Sequence, residues 1–223
     1  MAFSISTYHQ IRNELHGKQV TLVAVSKTKP VTDLLEAYHA GIRDFGENYV
    51  QELCGKQQQL PEDIQWHYIG HLQSNKVKFI APFVHLIHGV DSEKLLLEIQ
   101  KQGKKNQRVI DCLLQVHIAE ESTKFGFDEA AIKIVAQTYG IEQPLSHVRL
   151  RGLMGMASFT DDAQKIKREF NGLKTIFDTI RSRQPDNNCF DTLSMGMSSD
   201  YPLAIECGST LIRVGSLLFG ERI

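Results

Sequence analysis

The chain has 223 residues, 42% of them hydrophobic and 23% charged, with 25 basic side chains against 26 acidic ones. This excludes a disordered, collagenous or coiled-coil chain, and it leaves no net cationic surface to gather nucleic acid or anionic lipid. Cys54, Cys112, Cys189 and Cys207 are scattered, without the short spacings of a zinc site or a secreted disulfide framework. The N-terminal segment carries no apolar core of signal-peptide length, and no stretch reaches the roughly 20 apolar residues that span a bilayer. The expectation is a soluble cytoplasmic protein.

An N-terminal helix is predicted over Ser4 to Leu15, and from Val20 one unit repeats. Val20 to Lys27 reads as a strand, and Val31 to Ala40 as a helix with Leu34, Leu35 and Tyr38 on one side. Ile42 to Asn48 is the second strand, before a polar helix that ends short of Pro61. Ile64 to Gly70 is the third, before a helix from about Ser74 to Ile80. Leu86 to Asp91 leads into a helix over Ser92 to Lys101, with Ser92 as its N-cap.

The second half keeps the alternation. Val109 to Ile118 precedes a helix from Asp128 to Tyr139, and Arg149 to Met156 precedes a long one from Asp161 to Arg181. Thr192 to Met197 leads to a short helix over Tyr201 to Glu206, and Leu211 to Ser216 is the last strand. That makes eight strands and seven intervening helices, with the N-terminal helix placed to cover the missing eighth. Apolar runs such as LVAV and DCLLQV suit strands buried on both faces. The fold class expected is α/β, a single (β/α)8 TIM-type barrel domain over 1–223 with an extra N-terminal helix. The rival open, doubly wound sheet lacks its usual G-x-G-x-x-G after the first strand.

In such a barrel, chemistry collects at the C-terminal ends of the strands. Lys27 closes the first strand and shares the parity of Val23 and Val25. It can be a plain surface lysine; at a barrel mouth, however, desolvation favours the neutral amine that attacks a carbonyl, which makes it a Schiff-base candidate. After strand seven comes Met197-Ser198-Ser199-Asp200, and strand eight ends Arg213-Val214-Gly215-Ser216. Glycines and serines make turns, but these two loops are also where barrels often bind phosphate. With Lys27 they fit a phosphorylated carbonyl compound held at both ends. Arg213 breaks an apolar strand and needs a partner, such as a ring nitrogen or carboxylate of that ligand. Asn48, beside Glu47, either reaches the ring or caps the next helix.

Other polar groups carry less. His67 and His71 have the spacing of a zinc helix but cross a strand end at Gly70, so no metal site is expected. His71, Gln73 and Asn75 are placed at the mouth after strand three, and Lys124 at the rim after strand five. The cluster Lys101, Lys104, Lys105 and Arg108 falls at the opposite face, as a solvated loop.

The segments AVSKTKP, FGENYVQE, WHYIGHLQSNK, STKFGF, RGLMGM, SMGMSSDYPLAI and IRVGSLLFGER span nearly the whole chain. In these the sequence resembles the pyridoxal 5′-phosphate (PLP) homeostasis proteins, the YggS/PROSC family. The resemblance implies a barrel like the N-terminal domain of alanine racemases. It implies PLP held covalently on Lys27 as a Schiff base and Arg213 facing the pyridine nitrogen. Ser198, Ser199, Gly215 and Ser216 would surround the phosphate, with Asn48 and Met195 near the ring. An arginine at that nitrogen discourages its protonation, and an unprotonated ring is a poorer electron sink. In the related racemases a tyrosine from a β domain of the partner subunit serves the far face, whereas this sequence stops at Ile223, soon after strand eight. The expectation is a non-catalytic PLP carrier that supplies apo-enzymes, a monomer or weak dimer with no metal, nucleic-acid or membrane partner. The alternatives are a PLP-dependent amino-acid racemase or related enzyme, and a phosphosugar lyase without PLP.

Overall fold

The computed structural model describes residues 3–119, 125–184 and 189–221. Its centre is a closed barrel of eight parallel strands in chain order. They are β1 (Thr21–Val25), β2 (Asp44–Glu47), β3 (Gln65–Tyr68), β4 (Leu86–Val90), β5 (Ile110–Gln115), β6 (Val148–Met154), β7 (Thr192–Met197) and β8 (Leu211–Val214). The last strand returns to the first in register from Thr21 opposite Leu211 to Ala24 opposite Val214, so no sheet edge is left unpaired.

The helices pack outside. They are α1 (Ile5–Leu15), α2 (Val31–His39), α3 (Val50–Gln57), α4 (Val77–Ile80), α5 (Glu93–Lys105), α6 (Glu129–Gln137), α7 (Ala163–Arg181), α8 (Tyr201–Glu206) and α9 (Ser216–Phe219). Three differ from the sequence expectation. The eighth crossover position is filled by the single turn α9, which docks against the start of α1: Ser4 N donates to Leu218 O at 2.8 Å and the Phe3 and Phe219 rings lie 5.6 Å apart. The helix α5 runs past Lys101 to Lys105 because Gly103 lets it press against the segment before β6. A Cβ at Gly103 would meet His147 O at 2.6 Å. The third is the helix before β4, which is a 3-10 turn over Ser74–Lys76 and only four residues of α-helix.

Two apolar layers result. The larger lies between strands and helices and includes Phe45, Leu53, Ile87, Phe170, Phe177 and Met195. The smaller fills the barrel with Val23, Leu86, Leu113, Met154 and Leu211. Its neighbours inside are polar and equally buried, namely His67, His88, Ser194 and Arg213. At the N-terminal mouth, Asp111 accepts from Arg149 Nε at 2.7 Å and from Arg151 Nη1 at 2.9 Å, and Arg151 Nη2 reaches Asp191 at 3.0 Å. No helix among the described residues is long and apolar enough to cross a membrane, and no disulfide joins the cysteines.

Candidate functional site

At the C-terminal mouth the strand ends surround a cavity of about 590 Å³. Its lining includes Lys27 and Lys29 after β1, Asn48 after β2, Ser198 and Ser199 after β7, and Arg213, Gly215 and Ser216 from β8 onward. Seven of the eight residues predicted for the site therefore meet at one cavity. Met195 does not. Its side chain is fully buried in the layer between barrel and helices, because its neighbour Ser194 takes the inward position on β7 and successive strand residues alternate. Met197, two residues on, lines the cavity in its place because the register of β7 shifts between Ser194 and Met197, with Gly196 at φ 96. Val25, Ile69, Met156 and Phe159 are the other apolar walls. The side chain of Lys124 lies outside the described residues.

The two serine-glycine loops are joined. Gly215 N donates to Ser198 Oγ at 3.1 Å, and Met197 N donates to Asp200 Oδ1 at 2.6 Å, which fixes the turn carrying Ser198 and Ser199. Gly215 sits in a tight space: a Cβ there would meet Val25 Cβ and Val25 O at 3.2 Å. The result is a cluster of hydroxyls and backbone amides at the position where barrels bind phosphate.

Arg213 forms the floor. It is 3% exposed; its Nη1 donates to Ser194 Oγ at 2.5 Å and its Nη2 to Gly155 O at 3.2 Å. Among the described residues no carboxylate lies within ion-pair distance of it. Burial lowers its pKa to about 10, and Asp200 offsets only part of that. A buried cation facing a cavity calls for an electron-rich partner. Asn48 makes a second such demand. Its Oδ1 is buried and has no hydrogen-bond partner among the described residues. A donor on a bound molecule would satisfy it.

The base of the Lys27 loop is clamped by groups the sequence reading passed over. Lys56, on the inner side of α3, is 5% exposed, and its Nζ donates at 2.7 Å to Glu47 Oε1, Glu52 Oε1 and Ser26 O. Ser26 Oγ donates to Glu47 Oε1 at 2.7 Å, and Thr28 N donates to Glu52 Oε1 at 2.5 Å. Both neighbours of Lys27 are thus tied to one buried ion cluster. Thr28 sits at φ 64, a conformation that L side chains rarely adopt, and the Glu52 bond helps to hold it there. Burial raises the Glu47 pKa, against the opposing pull of Lys56 and Ser26. The Glu52–Lys56 spacing of four was legible as a helix pair; nothing local showed that Lys56 faces inward.

The histidines divide. His71 Nδ1 lies 2.9 Å from Asp91 Oδ2 and its ring stacks on Phe125 at 4.0 Å, at the mouth as expected. His67 points the other way, into the barrel, so the two do not share a face. No group of three or more metal-binding side chains occurs among the described residues. Lys101, Lys104 and Lys105 end α5, and Arg108 donates to Ala81 O and Val84 O at 2.6 and 2.9 Å.

Comparison with known proteins places this site among relatives. The family model described as alanine racemase, N-terminal domain, matches residues 6–223. The pyridoxal phosphate homeostasis protein of Pasteurella multocida is 39% identical over 206 residues, covering 91% of this chain and 87% of that protein. Its counterpart in Schizosaccharomyces pombe is 39% identical over 215 residues, covering 96% and 89%. Among solved structures, PipY of Synechococcus elongatus superposes with TM-scores of 0.90 without PLP and 0.86 with PLP bound. The identities are 36% and 35%, and the match covers 97% of this chain and 99% of PipY. Alanine racemase from Bartonella henselae, at 14% identity, shares the fold alone, with a TM-score of 0.71 over 96% of this chain and 57% of the racemase. The chain therefore belongs to the alanine racemase N-terminal domain family, within the branch of the pyridoxal phosphate homeostasis proteins.

Proposed function

We propose that this protein binds pyridoxal 5′-phosphate covalently through Lys27 and serves PLP homeostasis as a non-catalytic carrier in the cytoplasm, releasing the cofactor to apo-enzymes. The observation that carries the reading is the constellation at one cavity: an amine (Lys27), a buried arginine without an anionic partner among the described residues (Arg213), and joined hydroxyl-rich loops. The curated relatives carry the name pyridoxal phosphate homeostasis protein, and PipY has been solved with PLP bound. When bound, the cofactor supplies an aldehyde that condenses reversibly with a primary amine, with loss of water. Lys27 is the amine for it. Ser198, Ser199, Gly215 and Ser216 hold the phosphate, Arg213 donates to the ring nitrogen, and Asn48 Oδ1 accepts from a donor on the ligand.

Arg213 is also why catalysis is not proposed. Its charge opposes protonation of the neighbouring ring nitrogen, which weakens the withdrawal of electrons that carbanion chemistry such as transamination needs. The barrel domain carries this site, with the cofactor as its small-molecule partner.

Incubation with PLP, borohydride reduction and mass spectrometry test the reading. A mass increment of one reduced cofactor is expected in the wild type and is absent in Lys27→Ala, whose stability stays within about 0.5 kcal/mol because the side chain is partly exposed. Conversion of an L-amino acid to its D form by the purified protein would defeat the carrier reading. Transfer to an apo-enzyme in the presence of a trap for free PLP is the expected result for direct delivery.

A further inference from the structure

The contacts of Arg213 lead away from the cavity and through the barrel. Ser194 Oγ, 2.5 Å from Arg213 Nη1, also lies 3.0 Å from His88 Nδ1. His88 Nε2 lies 3.0 Å from His67 Nδ1, and His67 Nε2 lies 3.0 Å from Asp44 Oδ1. Ser194 and His88 are wholly buried and His67 nearly so, whereas the Asp44 side chain is 31% exposed. Asp44 stands at the start of β2 and lines the N-terminal mouth. One unbroken row of contacts thus links the cavity floor on β8 to the opposite end of the barrel, by way of β7, β4, β3 and β2.

One arrangement of protons satisfies every atom in the row. Arginine can only donate, so Ser194 Oγ accepts from it, and the serine proton is left for His88 Nδ1. His88 then carries its own proton on Nε2 and gives it to His67 Nδ1. His67 in turn carries its proton on Nε2 and donates to the Asp44 carboxylate, which can only accept. Both imidazoles are neutral in this scheme. Burial, with the positive charge of Arg213 nearby, holds His88 well below the ordinary histidine range. His85 packs 5.2 Å from the His67 ring, and Asp111 and Arg151 line the same mouth.

We propose that Asp44, His67, His88 and Ser194 are positioning residues for Arg213. They form a one-way hydrogen-bond relay that brings the counter-charge of a carboxylate at the far mouth to the guanidinium beneath the ligand cavity. Each dipole in the row has its negative end toward Arg213 and its positive end toward Asp44, so both charges are stabilised through the barrel. The ligand side of Arg213 keeps its donor capacity. The role in cofactor binding rests on the PLP reading above; the proton arrangement does not.

Two arms test the relay. Imidazole nitrogen NMR on the cofactor-free protein near pH 7 is expected to show His67 and His88 both neutral with the proton on Nε2. A proton on Nδ1 of either ring, or an imidazolium, would overturn the relay whether or not the protein takes up PLP. In the second arm, Ser194→Ala is expected to weaken PLP binding about 10-fold, the usual scale for a lost hydrogen bond to a charged group, with Ser194→Thr restoring it. Asp44→Asn keeps an acceptor oxygen at the exposed end but removes the charge, and should weaken PLP about 3-fold and shift the Arg213 nitrogen signals. Asp111→Asn, at the same mouth but outside the row, should do neither. Wild-type affinity and unchanged arginine signals in a folded Asp44→Asn protein would overturn the positioning role. Failure of the wild type to take up PLP would instead sink the functional reading, leaving the tautomers to decide the relay.

Discussion

Single residues show how finely a local irregularity in a strand decides a role: the register of β7 shifts between Ser194 and Met197, with Gly196 at φ 96 between the two methionines. Met195 and Met197 have the same side chain two positions apart on β7, yet Met195 packs against helices and Met197 borders the cavity. His67 and His88 face the barrel interior, and for His88 burial makes protonation a stability matter. The pKa of His88 is depressed in the folded protein but ordinary, near 6.5, in the unfolded chain. Below that pH the unfolded state takes up a proton the folded state refuses, so this stability is complete above about pH 6.5 and is lost on acidification. His85 is shifted the same way by burial. Urea unfolding should therefore show stability falling toward acid pH, and His88→Gln should lower that slope by up to about 1.4 kcal/mol per pH unit. Gly215→Ala tests the other tight position. With Val25 atoms 3.2 Å from the added methyl group, a cost of about 1–3 kcal/mol is expected in thermal unfolding, together with weaker phosphate binding.

The elements most closely tied to the site are β1, β2 and α3, which share the Lys56 cluster. Removing one partner of a buried ion pair strands the other, at about 3–5 kcal/mol. Lys56→Met should cost that much near neutral pH by chemical denaturation, and should disturb the loop carrying Lys27. The loss should shrink in acid. Without Lys56 the folded-state pKa of Glu47 rises further above its unfolded value, so the deficit is present above that raised pKa and is recovered as pH falls through it. The alternation of apolar runs and amphipathic stretches was enough to place all eight strands, since strands buried on both faces are rich in apolar residues even where a polar side chain interrupts them. Helix ends were less legible. Continuation of α5 to Lys105 depends on what Gly103 packs against, and the single turn α9 is too short to have a periodicity.

Across the whole molecule the two mouths of the barrel differ in kind. The C-terminal mouth gathers an amine, hydroxyls and unsatisfied polar groups around open space, and the N-terminal mouth closes on itself with Asp111, Arg149, Arg151 and Asp191. Such a division assigns ligand binding to one end and stability to the other. Asp111→Asn should accordingly lower stability by at least about 1.5–3 kcal/mol in urea unfolding while leaving PLP uptake intact.

Sequence alone determined the barrel, the position of Lys27 at its mouth and the pairing of loops after β7 and β8, because strand order and strand ends are properties of the pattern along the chain. Which side chains meet across the barrel was settled only by its closure. The Lys56 cluster and the row from Arg213 to Asp44 join residues up to 169 positions apart (213 less 44) on strands whose stagger no local pattern encodes. Burial then turns those meetings into chemistry, since a charge or an imidazole that is unremarkable in water must find a partner once the barrel has shut around it.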